Sequence, residues 1–505
     1  MTTPTPVTPI DAAPDEVTDR LGTAAVDVPP ALLDRLAATG ATVDTAAAAR
    51  AEAGRDWWPI AIGWAAEGGV PQRPAAVVRP ATTEHVAAVL AACNEARVPV
   101  TAAAGRSGVC GGSIPVHGGI ALDLTGLEGV VRVDETSLTA DVRAGTFGPD
   151  LEEALGKVGD SDGYTLGHWP QSMDLSTVGG WLACRGAGQY STRYGKIEDM
   201  VIGLEVVLAD GRVVHTEGKG PRAATGPNLT QLFVGSEGTL GVITEARLRI
   251  HPLPPAQERR AFGFESFAAG LEACRRIMRR GATPAVLRLY DETESERNFE
   301  HGDTNVLIVL DEADPDVLAG TMTVVDAECG APAGARSLDA ALVDRWLGHR
   351  NDVSALAPLW RAGVVVDTAE ISGEWAALTV LYDEVVNALK GIDGTLAASA
   401  HQSHSYVDGA CLYFTFGGRG PDGDGEWRER YYRRCWDVVT DATLAHGAAI
   451  SHHHGIGLNR SRFLPRALGS GFEVLRGLKQ TFDPNGILNP GKFGLDSPFG
   501  PAPWA

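Results

Sequence analysis

Between residues 71 and 252 the apolar positions follow two rhythms. Val86, Val89, Leu90 and Cys93 recur at i, i+3, i+4 and i+7, one face of a helix whose cap is Thr82 or Thr83. Arg97-Val98-Pro99-Val100-Thr101 then reads as a short strand running into the glycine-rich AAAGRSGVCGG. Pro149 opens a second helix, carried by Leu151, Ala154, Leu155 and Val158. VIGLEVVLADGRVVH reads as a hairpin turning at Asp210-Gly211. Ala246, Leu248 and Ile250 alternate with Glu245, Arg247 and Arg249, a strand with one dry face.

After HPLPP at 251–255 the texture changes to fewer glycines, longer helices and strands such as TNVLIVLDE and ACLYFTFGG. The proline cluster divides the chain. The expected organisation is a mobile Thr/Pro/Ala-rich tail and helical segment over 1–70, an α+β domain over 71–252, a second α+β domain over 253–445, and a closing segment over 446–505.

Composition narrows the partners. The 43 basic and 64 acidic residues leave a net charge of -21, a field that repels nucleic acid and anionic lipid. An anionic small molecule would need a local arginine site. Seven cysteines without a Cys-x-x-Cys pair fit reduced thiols better than a disulfide or zinc framework. The first residues lack a basic and apolar leader pattern, and no apolar run is long enough to span a bilayer, so a cytoplasmic protein is expected.

Four Gly/Ser/Thr-rich loops carry the first chemical signal. The glycines at 105, 108, 111 and 112 do not have dinucleotide-fold spacing, and no Gly-Lys-Ser/Thr follows. What remains is a nest of backbone N–H groups able to converge on an anion. STVGGWLACRGAGQYSTRYG (176–195), PRAATGPN (221–228) and GSEGTLGVIT (235–244) repeat the composition. Several such loops in one domain suit a long diphosphate ligand.

The second signal is His452-His453-His454 in SHHHGIG. In an extended chain His452 and His454 point one way and His453 the other, so the triplet does not converge on one ion and no metal is expected. Imidazoles that titrate near neutral pH suit proton transfer, or phosphate binding as the cation.

These motifs resemble the FAD-binding domain of the vanillyl-alcohol oxidase/p-cresol methylhydroxylase (PCMH-type) superfamily, on GSEGTLGVIT and DPNGILNPGK. A narrower resemblance to the alkyldihydroxyacetone-phosphate synthase family rests on GYTLGHWPQSMDLSTVGGWLACRGAG, YGKIEDMVIGLEVV, SYVDGACLYFTF and SHHHGIG. The resemblance implies two small subdomains around FAD and a cap domain over the flavin. It implies flavin contacts from Ala103, Ala104, Gly105, Arg106 and Ser107; from Gln171, Ser172, Ser176 and Thr177; from Cys184, Arg185, Gly186 and Ala187; and from Glu237, Gly238, Thr239, Leu240, Gly241, Val242 and Ile243. Catalysis would fall to Tyr406, His452, His453 and His454, with substrate phosphate held by Arg288 and Arg350. Val109 stands where some relatives carry a flavin-linking histidine, so FAD is expected to be non-covalent, with Cys110 a packed residue. The family activity exchanges the acyl group of a phosphorylated lipid precursor for a fatty alcohol through a flavin adduct, in a homodimer. Oxidation of a hydroxy acid or alcohol on the same fold is the alternative. A non-catalytic flavin protein is disfavoured because Tyr406 and all three histidines are present together.

Overall fold

The computed structural model describes residues 9–159, 163–216, 220–330, 334–352, 356–421 and 424–504. The expected mobile tail falls largely in residues 1–8, outside the described residues. Short helices follow at Pro30–Ala38, Ala47–Ala53 and Pro59–Ala65.

Three main sheets organise the chain. The first has four strands in the order Thr42–Asp44, Ala76–Arg79, Ile120–Asp123, Val100–Ala103; the last three run parallel. The crossover between Ala76–Arg79 and Val100–Ala103 is the helix Thr83–Ala96, capped by the Thr82 hydroxyl accepting from the His85 N–H. Arg97 does not begin a strand. It closes the helix in the left-handed conformation (φ 54°), and the strand starts at Val100 after Pro99.

The second sheet is antiparallel, in the order Val213–His215, Val201–Val207, Val242–Arg249, Thr139–Arg143, Val130–Asp134. Its hairpin turns at Asp210-Gly211, where Gly211 takes φ 84°. The helix Gly148–Gly156 and the helix Val178–Cys184 pack on it, contributing Leu151, Leu155, Val178 and Leu182 to one core.

The third sheet has seven antiparallel strands, in the order Arg336–Leu338, Ala256–Phe264, Asn305–Ala313, Val286–Tyr290, Thr395–Ser405, Gly409–Arg419, Val364–Glu374. Helices Phe267–Arg279, Pro315–Cys329, Trp375–Lys390 and Gly425–Ala445 cover one face. Leu287, Leu289, Leu307, Phe414 and Phe416 meet Leu271, Leu381 and Tyr432 in the largest core. Successive strand residues point to opposite faces, so Arg288, His401 and Tyr413 stand on the other side.

The last segment returns to the first sheet. Leu488 bridges Val100, and the Asn489 N–H donates to the Val100 carbonyl at 2.8 Å. Buried Lys479 donates to Asp483 and to the carbonyls of Thr239 and Leu488. Asn489 donates to the carbonyls of Gly112 and Glu237. The DPNGILNPGK motif thus ties the glycine loops together.

Candidate active site

A cavity of about 740 Å³ lies among the three sheets. Residues 103–107, Gln171, Ser172, Ser176, Thr177, Cys184, Gly186, Ala187, Glu237, Gly238 and 241–243 line one end. Among the described residues, the backbone N–H groups of Gly105, Arg106, Ser107 and Gly108 donate to no protein acceptor. Arg106 is left-handed (φ 51°), the turn that makes successive N–H groups converge. A Cβ at Gly105 would overlap the Leu175 carbonyl, so the loop is held tightly against the Gln171–Thr177 segment. The buried Nε and Nη2 of Arg106 also lack hydrogen-bond partners, Nη2 lying 3.8 Å from the Asp123 carboxylate. Unpaired donors in a glycine cradle are what a diphosphate would satisfy, and the residues present fit FAD.

Three expected cofactor residues stand elsewhere. Arg185 caps its helix (φ 56°) and turns outward, donating to the Val234 carbonyl and to Gln231. Thr239 is buried, its hydroxyl donating to the Ser236 carbonyl, and Leu240 is in the core of the second sheet. Residues 221–228 are exposed and none lines the cavity, so that loop is not part of the cradle. Their composition matches the others; their fold does not. Cys110 is buried, lines the cavity, and lies 3.4 Å from an Arg460 nitrogen.

Side chains build the other end. Register places His401 opposite Tyr413 and Tyr413 opposite Glu370, across three neighbouring strands. Between Ser403 and Ser405 the ladder slips by one residue, and the extra residue, His404, takes φ 53°. This bulge turns His404 into the cavity wall, a common device beside functional sites.

The histidine triplet is not a strand but a bent loop wrapped on one carboxylate. Buried Glu370 accepts from the backbone N–H groups of His452, His453 and His454 at 3.1, 3.3 and 2.7 Å. Arg460, also fully buried, pairs with Glu370 at 3.1 Å and donates to the Gly455 carbonyl at 2.6 Å. Glu237 joins the loop to the cofactor end by accepting from Ile456 and Gly457. Burial opposes charge on Glu370, but Arg460 and the backbone N–H groups of His454 and His452 hold its carboxyl below the usual value.

The bend defeats the expected alternation. His452 Nδ1 and His453 Nδ1 stand 2.9 Å apart, and the His404 ring joins them. His453 and His454 line the cavity, whereas His452 and Tyr406 lie behind it, hydrogen-bonded to each other at 2.9 Å. Burial pushes His404, His452 and His453 well below their ordinary pKa and His454 down to about 4. All four are neutral near pH 7, so they can accept protons but do not hold phosphate as resident cations. Burial also pushes the Tyr406 phenol upward.

Four arginines, Arg288, Arg297, Arg345 and Arg350, line the same region. Arg297 pairs with Glu294 and Arg345 with Glu300. Arg288 instead donates to His401 Nε2 at 2.6 Å, and His401 Nδ1 bonds Glu294 at 2.7 Å. Arg350 donates to Gln189 at 3.0 Å and lies over the rings of Trp169, Tyr190 and Trp346. Among the described residues, neither Arg288 nor Arg350 has a carboxylate partner. The sequence reading found Arg288 and Arg350 but missed Glu370, Arg460, His404 and the lining residue Trp57. Acids set into the otherwise apolar strand VVVDTAEISGE, Asp367 and Glu370 in its interior and Glu374 at its end, were the available signal for Glu370.

Comparison with known proteins agrees with this geometry. The FAD binding domain family matches residues 74–217, and the C-terminal domain of FAD linked oxidases matches residues 253–493. An uncharacterized FAD-linked oxidoreductase of Escherichia coli is 33% identical over 433 residues, 83% of this chain and 88% of its own. A glycolate oxidase subunit of Bacillus subtilis is 29% identical over 445 residues, 83% of this chain and 88% of its own. A solved alkyldihydroxyacetonephosphate synthase superposes with TM-score 0.78 at 25% identity, covering 96% of this chain and 88% of that one.

Proposed function

The chain belongs to the family that joins FAD-linked oxidases and alkyldihydroxyacetonephosphate synthases, with FAD as its cofactor, and we propose that it oxidises a small hydroxy compound carrying a carboxylate or phosphate. The carrying observation is the pair Arg288 and Arg350, half-buried guanidiniums without carboxylate partners beside the neutral histidines. A charge so placed is costly unless a ligand completes it, and a guanidinium fork matches carboxylate or phosphate. In a chain of net charge -21, this local reversal of sign supports an anionic substrate.

FAD, when bound, supplies the two-electron acceptor. The backbone of 105–108 would hold its diphosphate, with Ser107, Gln171, Ser176 and Thr177 beside it. Arg288 and Arg350 would fix the substrate anion. His401, braced by Glu294, aims Arg288. His454, neutral and facing the cavity, is the group placed to take the hydroxyl proton, with His453 beside it and Tyr406 orienting His452 behind them. The glycolate oxidase relative supports a hydroxy-acid substrate. The arginines stand among Tyr290, Phe299, Trp346 and Leu356, a mixed lining that sets an anion clamp beside apolar surface.

Acyl-for-alkyl exchange on a phosphorylated lipid precursor is the second reading, favoured by the superposition on alkyldihydroxyacetonephosphate synthase. Both readings need the same anion clamp. The test is anaerobic mixing of the FAD-loaded protein with short 2-hydroxy acids, glycerol phosphate and an acyl-dihydroxyacetone phosphate. Bleaching of oxidised flavin by a hydroxy compound, with the matching carbonyl product, is expected. Fatty-acid release from the acyl substrate, with none of the hydroxy compounds bleaching the flavin, would replace the first reading by the second.

A further inference from the structure

We propose that His404, His452 and His453 form a site for one divalent transition-metal ion in the cavity wall. One nitrogen from each ring lies within 4.8 Å of the others. The ring centres form a nearly equilateral triangle, 4.9 Å between His404 and His452, 5.0 Å between His404 and His453, and 5.1 Å between His452 and His453. Three imidazoles bound tetrahedrally at ~2.0–2.1 Å to one ion place their ring centres roughly 5 Å apart.

The outer nitrogens are already committed. His404 Nδ1 is bonded to Ser191 Oγ at 2.7 Å and His452 Nε2 to Tyr406 Oη at 2.9 Å. Those bonds leave His404 Nε2 and His452 Nδ1 as the ligand atoms, with His453 Nδ1 at 2.9 Å from the latter. Such partners on the distal nitrogen are the usual support of a metal-bound imidazole. The bulge at His404 is what completes the triangle, at the expense of a left-handed backbone.

The ion would replace the proton shared between the two Nδ1 atoms, which moves to Nε2 of His453. A set of three neutral nitrogens without carboxylate selects zinc, nickel, copper or ferrous iron over calcium or magnesium. Because His404 and His453 line the cavity, the fourth position opens towards substrate, the arrangement of catalytic rather than structural sites. The role of the ion rests on the oxidation proposed above. A metal–oxygen bond forms to the substrate hydroxyl, its O–H bond breaks, and the proton passes to His454.

The test uses the full-length FAD-loaded protein, stripped with a chelator, desalted, and titrated with Zn²⁺ against a chromophoric competitor. One ion per chain is expected. His404→Gln is expected to weaken binding by more than about 100-fold and Ser191→Ala by roughly 10–100-fold, while His454→Gln retains the ion. The flavin spectrum and melting temperature of each variant report that it has folded. Absence of stoichiometric binding of Zn²⁺, Co²⁺ and Ni²⁺, or wild-type affinity in His404→Gln, overturns the site. The titration involves no turnover, so a failed search for a hydroxy substrate leaves its result intact. Flavin reduction by a hydroxy compound at full rate in the metal-free protein would overturn the Lewis-acid role.

Discussion

The two ends of the cavity are built by different means. At the end proposed for the cofactor, backbone supplies the donors: a glycine at 105 pressed on Leu175 and a left-handed Arg106 leave successive N–H groups without protein acceptors. At the other end, side chains from separate strands and a distant loop converge, with a buried ion pair between Glu370 and Arg460 holding the loop. The first design tolerates little change of shape. The second tolerates little change of charge.

Substitutions sharpen that contrast. Gly105→Ala, which drives a Cβ into the Leu175 carbonyl, is expected to abolish FAD co-purification, read from the flavin absorbance of the pure protein. Because the obstruction is backbone on both sides, the loop has no cheap way to yield. Arg460→Met leaves Glu370 buried without its partner and is expected to lose about 3–5 kcal/mol, measured by urea unfolding of the FAD-loaded protein. Retention of full stability would mean that the histidine loop is held by its backbone bonds alone.

Acid should act first on the side-chain end. Burial holds His401 and His454 at about 4. Each returns to 6.5 on unfolding, so between pH 6.5 and about 4 the unfolded chain binds more protons. The stability these histidines contribute is therefore present in full above pH 6.5 and falls as pH drops through that window, each by up to about 1.4 kcal/mol per unit, while buried Asp56, Glu152 and Asp367, raised to about 7, act in the opposite sense. A His401→Gln variant that loses as much melting temperature as the wild type between pH 6.5 and 4 would contradict the histidine contribution. Arg350→Gln removes one arm of the anion clamp and is expected to raise KM by roughly 10–100-fold, with FAD content unchanged. Arg185→Ala, at an outward-facing position, is expected to change stability by no more than about 0.5 kcal/mol and FAD content not at all.

Legibility in the sequence divides along the same line. The crossover helix with its Thr82 cap, the Asp210-Gly211 hairpin and the Ala246–Ile250 alternation are local patterns, and all three appear where the periodicity puts them. Arg97 was misplaced because Pro99 delays the strand and a left-handed cap was not visible in residue type. Loop 221–228 was overvalued because glycine content signals a turn, not what the turn faces. The histidines were noticed for their chemistry, but their mutual geometry was misjudged by assuming an extended chain.

The sequence by itself determined the backbone devices: glycines where the chain passes another backbone, caps where helices begin, and alternation where one face is dry. These depend on neighbours within a few residues and survive translation into a string of letters. Only the tertiary structure decided that Glu370 gathers three N–H groups from residues 452–454, that Arg460 neutralises it, and that a one-residue bulge brings His404 to the triplet. Those contacts join positions 48 to 90 residues apart. Their formation depends on strand register and on the cost of burying an unpaired charge, neither of which is a property of any short stretch of chain.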